Sequence, residues 1–206
     1  VFTENVFPYL TEEGTASEYI IKSLDIIDVM SAFDPPELAE YAEILLPCLF
    51  SDDQDLVLSY IDALFSLSLT KCLKPVLITF LENYSPEKVE LTSFIVYAFG
   101  FLVNGSQGLD NEVAEKVGEL TLAFFGQQNE ENNLLPSCIS MAAHVIVGIP
   151  ALFDPIMEHI APGIVEILEQ MVSDEYSNVD IFIEVLRFIN MLIFGFEEES
   201  PILSKE

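Results

Sequence analysis

Cationic side chains are scarce: the 206 residues include 7 Lys and Arg against 35 Asp and Glu, a formal net charge of −28. Phosphate backbones and anionic lipid headgroups are read by Lys and Arg, so direct nucleic-acid binding and membrane-surface binding are excluded and a basic partner is the electrostatic complement. Cysteine is equally sparse. Cys48, Cys72 and Cys138 form no CxxC and cannot all pair, which argues against a disulfide framework or a Cys-rich zinc site and fits a reducing compartment, cytoplasmic or nuclear. Tryptophan is absent. Long apolar runs are also missing: the two longest, 94–103 and 138–153, have 10 and 16 residues, short of the ~20 that a membrane-spanning helix needs. The first residues from Val1 are neither basic nor Ser-rich, and 197–206 form an acidic polar tail, so a segment of a longer protein is expected.

What is present is apolar. Hydrophobic residues make up 51% of the chain, enough to build a core that buries roughly 70% of the surface exposed by the unfolded chain. Runs of helical period alternate with short polar breaks over the whole length. Nine such runs are expected: 18–32, 36–50, 55–70, 72–83, 86–103, 110–127, 132–147, 152–172 and 178–196. Ser85-Pro86 and Asp34-Pro35-Pro36 look like helix starts, because a proline in the first turn gives up an N–H that has no helical partner there. The segment 94–103 is rich in β-branched and aromatic residues and has strand propensity. It nevertheless continues the run from Pro86 without a turn signal and would lack a pairing partner, so a buried helix is expected.

Starts of alternate runs fall at Pro36, Cys72, Asp110 and Leu152, which are 36, 38 and 42 residues apart. Two breaks repeat a phrase, Phe50-Ser51-Asp52-Asp53 and Val172-Ser173-Asp174-Glu175, and the runs that follow align without gaps from Asp55 and from Asp180. With Leu45-Leu46-Pro47 before the first of these turns and Ile160-Ala161-Pro162 before the second, the chain resembles HEAT repeats and their armadillo-like relatives. It departs from their pattern in lacking a regular basic residue on the inner helix: the corresponding stretch carries Asp62 in one repeat and Arg187 in another. The resemblance implies an all-α fold, an α-solenoid of about four to five antiparallel helix pairs, in which neighbouring pairs stack because none can hide its apolar face alone. A single solenoid segment spanning 1–206 is expected.

Polar residues recur at i, i+4 and i+7 on alternate helices, a spacing that shares one face. The rows are Glu18, Lys22 and Asp25; Asp55, Ser59 and Asp62; Asn133, Ser137, Ser140 and then His144; and Asp180, Glu184 and Arg187. A related row is Glu90, Ser93, Tyr97 and Asn104. Stacked in register, they would pave a surface acidic at both ends and neutral in the middle. Net charge follows the same course, −13 over 1–70, −5 over 71–140 and −10 over 141–206. The candidate partner-binding residues are therefore Glu18, Asp25, Asp55, Asp62, Glu90, Tyr97, His144, Asp180 and Glu184. Solvated acids that merely keep an apolar chain soluble are the plainer alternative. Phe124-Phe125 and Phe194 with Phe196 are candidates to edge a groove for an amphipathic helix, or else core.

Catalytic constellations are scarce. His144 and His159 lie in different runs, Glu158-His159 lacks a second zinc-helix histidine, and Cys138 and His144 point about 120° apart on one helix. Asp52-Asp53-Gln54-Asp55 lacks the glycine and distal Glu of a calcium loop. No enzyme activity, metal or cofactor is expected. The acidic rows are similar to the cargo-facing surfaces of nuclear transport receptors of the importin-β kind, or of chaperones for basic proteins. That likeness implies a non-enzymatic scaffold whose acidic inner surface holds basic protein or peptide segments, cytoplasmic or nuclear. The alternative is a structural subunit of a larger protein complex with no ligand groove of its own. The Trp ladder of peptide-binding armadillo proteins is missing.

Overall fold

The computed structural model of the chain describes residues 16–31, 35–85, 89–127, 133–172 and 179–195. Among these residues all regular structure is helical: α1 (Ser17–Met30), α2 (Pro35–Ile44), α3 (Gln54–Ser68), α4 (Lys74–Asn83), α5 (Ser93–Asn104), α6 (Asn111–Gly126), α7 (Leu135–Gly148), α8 (Phe153–Val172) and α9 (Val179–Gly195). Short 3-10 turns cover Leu46–Phe50 and Pro150–Leu152. The helices gather into two compact units, Val1–Leu109 and Asp110–Glu206.

Local chemistry accounts for most of the boundaries. Asp53 caps α3 by accepting from the backbone N–H of Asp55 and Leu56, Thr92 caps α5 through Ile95, and Asp110 caps α6 through Val113. The run expected over 36–50 is divided, because Pro47 has no N–H to continue α2 and the chain tightens into the 3-10 turn. The run expected from Pro86 instead begins at Ser93, where Thr92 supplies the cap. The Ser85-Pro86 start and the tail 197–206 fall wholly or partly outside the described residues. Segment 94–103 is helical and buries Ile95, Val96, Ala98, Phe99, Leu102 and Val103, so burial overrides its strand propensity.

In the first unit α3 lies between α1 and α5. Ser66 donates to the Asp28 carboxylate on α1, while Phe65, the preceding residue, meets Phe101 of α5 edge-on with ring centroids 5.3 Å apart. A second layer holds α2 and α4, joined by a 2.7 Å bond from Thr79 Oγ1 to the Glu43 carboxylate. The layers meet at Tyr60, fully buried, whose hydroxyl donates to the Ala42 carbonyl at 2.6 Å. The chain between α3 and α4 folds back onto the end of α5: Leu73 N–H bonds the Gly105 carbonyl at 2.8 Å. Lys71 Nζ donates to the Asn104 carbonyl at 2.6 Å and Lys74 Nζ to that of Gly108 at 2.5 Å. Cations at a helix C-terminus satisfy orphan carbonyls and complement the macrodipole.

In the second unit α7 packs against α9, and α6 against α8. Helix α7 carries the core, with Cys138, Ile139, Met141, Ala142, Ala143, Val145 and Ile146 all buried.

A methyl group at Gly105 would sit 2.6 Å from Leu73 Cδ1 and 2.8 Å from Ser68 Cα, one of them backbone, whereas one at Gly126 would meet nothing within 4 Å. Gly105→Ala is therefore expected to lower stability by about 1–3 kcal/mol through overpacking. Gly126→Ala should leave it unchanged or raise it by up to about 1 kcal/mol. Urea unfolding of the two variants, followed by circular dichroism, checks both.

Candidate functional site

Helix α3 leaves one row in solvent. Asp55, Leu58, Asp62, Phe65 and Leu69 are all exposed, and their alternating steps of three and four residues keep them on one stripe. Serine at 66 reaches α1 and phenylalanine at 65 reaches α5, so the stripe faces outward between those neighbours. On α1 the exposed stripe is Glu18, Lys22, Asp25 and Val29, and on α5 Tyr97, Phe101 and Asn104 are half-buried along one face. Five of the predicted residues, Glu18, Asp25, Asp55, Asp62 and Tyr97, thus lie on three helices of one layer.

Their charges are unequal. Lys22 Nζ lies 2.6 Å from Glu18 Oε1, and that hydrogen bond together with its attraction holds the Glu18 carboxyl below the usual range. Glu18 is already answered by its own helix. Asp25, Asp55 and Asp62 form no ion pair among the described residues, and the cations of Lys71 and Lys74 are engaged by carbonyls. What the layer offers is carboxylate set among apolar groups, Leu58, Phe65, Leu69 and Val29. Acid spacing alone does not reveal those apolar members, although the heptad-like steps from Asp55 to Leu69 carry the signal.

Other predicted residues sit elsewhere. Glu90 precedes α5 and shares no helix with Tyr97. It instead lines a groove of about 390 Å³ in the first unit, with Asp52, Phe50, Val57, Thr92 and Phe94 among its walls. The acid run before α3 has a structural task, since Asp53 is that helix's cap. In the second unit His144 and Ser140 are half-buried on α7, but Ser137 is buried. Asp180 is exposed on α9. Glu184 is not: it is 7% exposed and accepts from Arg187 Nη1 at 2.5 Å. The row Asp180, Glu184, Arg187 therefore does not form an open acidic stripe. The outward stripe of α9 is apolar, with Val179, Ile183, Leu186 and Ile193 exposed at heptad steps. Among the aromatic candidates Phe124 is core, Phe125 lines a second groove, Phe194 is exposed, and Phe196 lies outside the described residues.

Nucleophile and metal chemistry find little support in these positions. Cys138 is fully buried, and burial pushes its thiol up to about 12; the Cys48 thiol is pushed up to about 11 for the same reason. Such thiols hold their proton at neutral pH and are poor nucleophiles. Among the described residues no three His, Cys, Asp or Glu side chains are grouped to hold a metal ion, and no helix is long and apolar enough to cross a membrane. No family model matches the chain, and neither a curated protein nor a solved structure is significantly similar to it.

The buried thiol sets a pH dependence whose sign is fixed. Between its ordinary value of 9.0 and about 12, the unfolded chain loses the Cys138 proton while the folded chain keeps it. The unfolded state then binds fewer protons, so stability falls as pH rises through that window. Cys138→Ala is expected to flatten the decline in urea midpoint above pH 9, and an unchanged slope would count against this account.

Proposed function

We propose that the chain is a non-enzymatic protein-binding scaffold whose exposed acidic face on α1, α3 and α5 holds basic segments of a partner. In each unit, helices contact their second neighbours in sequence as well as their first, the pattern of stacked repeats, and this supports the α-solenoid reading. The observation that carries the function is the exposed stripe of Asp55, Asp62 and, on the adjoining helix, Asp25, uncompensated and interleaved with Leu58, Phe65 and Leu69. Carboxylates without counter-ions repel one another and are relieved by an incoming Lys or Arg, while the apolar groups between them gain from burial. A solubilising surface needs the acids but not the hydrophobic residues. The likeness to importin-β-type receptors is one of charge and repeat, and nuclear transport or chaperoning of basic proteins is the more specific form of the proposal.

A second reading, a structural subunit of a larger complex, is favoured by α9. Its exposed Val179, Ile183, Leu186 and Ile193 form an apolar stripe with no acid in it, a surface suited to continuous helix packing rather than to capture of basic chains.

The two readings separate in binding measurements. A fluorescent Lys-rich peptide should bind the intact chain with an affinity that drops about tenfold or more when salt is raised from about 0.05 to about 0.3 M, because exposed charges are screened beyond a Debye length. Joint replacement Asp25→Lys, Asp55→Lys and Asp62→Lys should abolish that binding and leave the helical circular dichroism unchanged. Salt-independent binding, or capture that survives all three substitutions, would overturn the acidic-face reading and favour the structural-subunit alternative.

A further inference from the structure

Helix α8 violates its own local preferences at one point. Pro162 lies inside its 20 residues and removes the N–H that would bond the Glu158 carbonyl, and Gly163 follows it. Both residues weaken a helix interior. Packing does not explain the glycine: a methyl group at 163 would meet nothing within 4 Å, and the backbone there has no positive φ that would demand it. The space beside it belongs to a groove of about 310 Å³. Ile139 of α7 and Ile160, Ile164 and Ile167 of α8 line it. Phe125 at the end of α6 forms a wall, edge-on to the His159 ring at 6.1 Å between centroids.

The lining carries one carboxylate. Glu166, bonded by Gln170 Nε2 at 3.2 Å, borders the groove. Asp154, Glu158, Glu166 and Glu169 are all exposed on α8, which contains no Lys or Arg. With only His159, Glu166 and Gln170 as polar lining, the groove has few groups to orient a polar small molecule, but it suits one bulky apolar side chain. Its volume lies at the low end for ligand sites, and an open apolar slot beside acids is the complement of an amphipathic basic peptide.

We propose that this groove between α6, α7 and α8 is a second docking site, taking a Phe- or Leu-sized anchor from a peptide whose flanking residues are Lys or Arg. Glu166 meets the flanking cation, and the missing side chain at 163 leaves room for the anchor. The proposal rests on the protein-binding reading above, yet it uses a different surface, in the other unit, and demands an apolar residue that the acidic face alone does not.

The test compares two labelled Lys-rich peptides, one with a central Phe and one with Ser in its place, on the intact chain by fluorescence anisotropy. The Phe peptide should bind about tenfold or more tightly than the Ser peptide, the range in which one buried anchor dominates an interface. Gly163→Leu fills the slot from a helix position with open space around it. It should erase the preference for Phe and leave Ser-peptide binding intact, while Glu166→Lys should weaken the Phe peptide more than the Ser peptide. A photoreactive benzoyl-phenylalanine at the anchor position should cross-link to α6, α7 or α8 in the unaltered chain, which keeps the test decisive should either variant fold poorly. Equal affinity for the two peptides, a preference that survives Gly163→Leu, or cross-links confined to the first unit would each overturn the proposal. Failure of the acidic-face reading is separate: Ser-peptide binding would then be absent or indifferent to the Asp25, Asp55 and Asp62 replacements, while the anchor preference remained.

Discussion

The hydrogen bond from Tyr60 to the carbonyl of Ala42 joins the two layers of the first unit, and its origin is Pro47. A helix leaves its last four carbonyls without intrahelical donors, and because Pro47 ends α2 near Ile44, Ala42 is among them. Tyr60 is wholly buried, and burial holds its phenol pKa well above the ordinary value. Its hydroxyl therefore has to find an acceptor inside, since an unsatisfied buried donor costs about 1–3 kcal/mol. One bond meets both needs and fixes α3 against α2. With that side anchored, the flanks of α3 are taken by α1 and α5 through Ser66 and Phe65, and the only stripe left to solvent is the one bearing Asp55, Leu58, Asp62 and Leu69. The outward direction of the acids follows from the inward direction of Tyr60.

Charge distribution is shaped by the shortage of cations as much as by the abundance of acids. Of the seven Lys and Arg, Lys71 and Lys74 are committed to carbonyls near the end of α5, and Lys22, Lys116 and Arg187 pair with acids three or four residues away on their own helices. Lys71 adopts φ +60°, a conformation unusual outside glycine, and is partly desolvated so that its amine pKa is lowered. These costs are offset by closing the end of α5, where backbone acceptors would otherwise be bare. Cations used in this way are unavailable to neutralise the surface. Exposed carboxylates in both units, such as Asp25, Asp62 and Glu166, therefore remain uncompensated and attract cations from outside the described helices.

Helix identity was legible from apolar periodicity throughout, including 94–103, whose β-branched content pointed the other way. The starts of α3 and α6 were legible to within a residue, where Asp53 and Asp110 cap them; the start of α5 was not, because a run read as continuous from Pro86 left no reason to look for the cap that Thr92 supplies. Phase was harder. Glu184 fits the i, i+4, i+7 rule as well as Asp62 does, yet it lies on the edge of α9 turned inward, because a polar period shows which residues share a face without showing which face is buried. Arg187, one turn further on, compensates the buried carboxylate, and that pair was readable as a spacing but not as a burial. The groove beside Gly163 was beyond reach, since it exists only where three helices meet; of its lining, Phe125, His159 and Ile160 were read in advance, but separately and for other reasons.

Placing acids and hydrophobic residues on the same exposed stripe has a cost that a merely soluble domain would avoid. Leu58 and Leu69 in water gain little for the isolated fold, and Pro162 with Gly163 weakens α8 where an alanine pair would strengthen it. Such departures from local preference concentrate where a surface has work beyond stability. In both units the departure adjoins carboxylates without counter-ions, so the same two features recur on different helices: an uncovered apolar group and a negative charge beside it. Apolar contact alone would let copies of the chain associate, but a net charge of −28 opposes that. A basic amphipathic segment relieves the repulsion and covers the apolar surface in one event, and so answers both features at once.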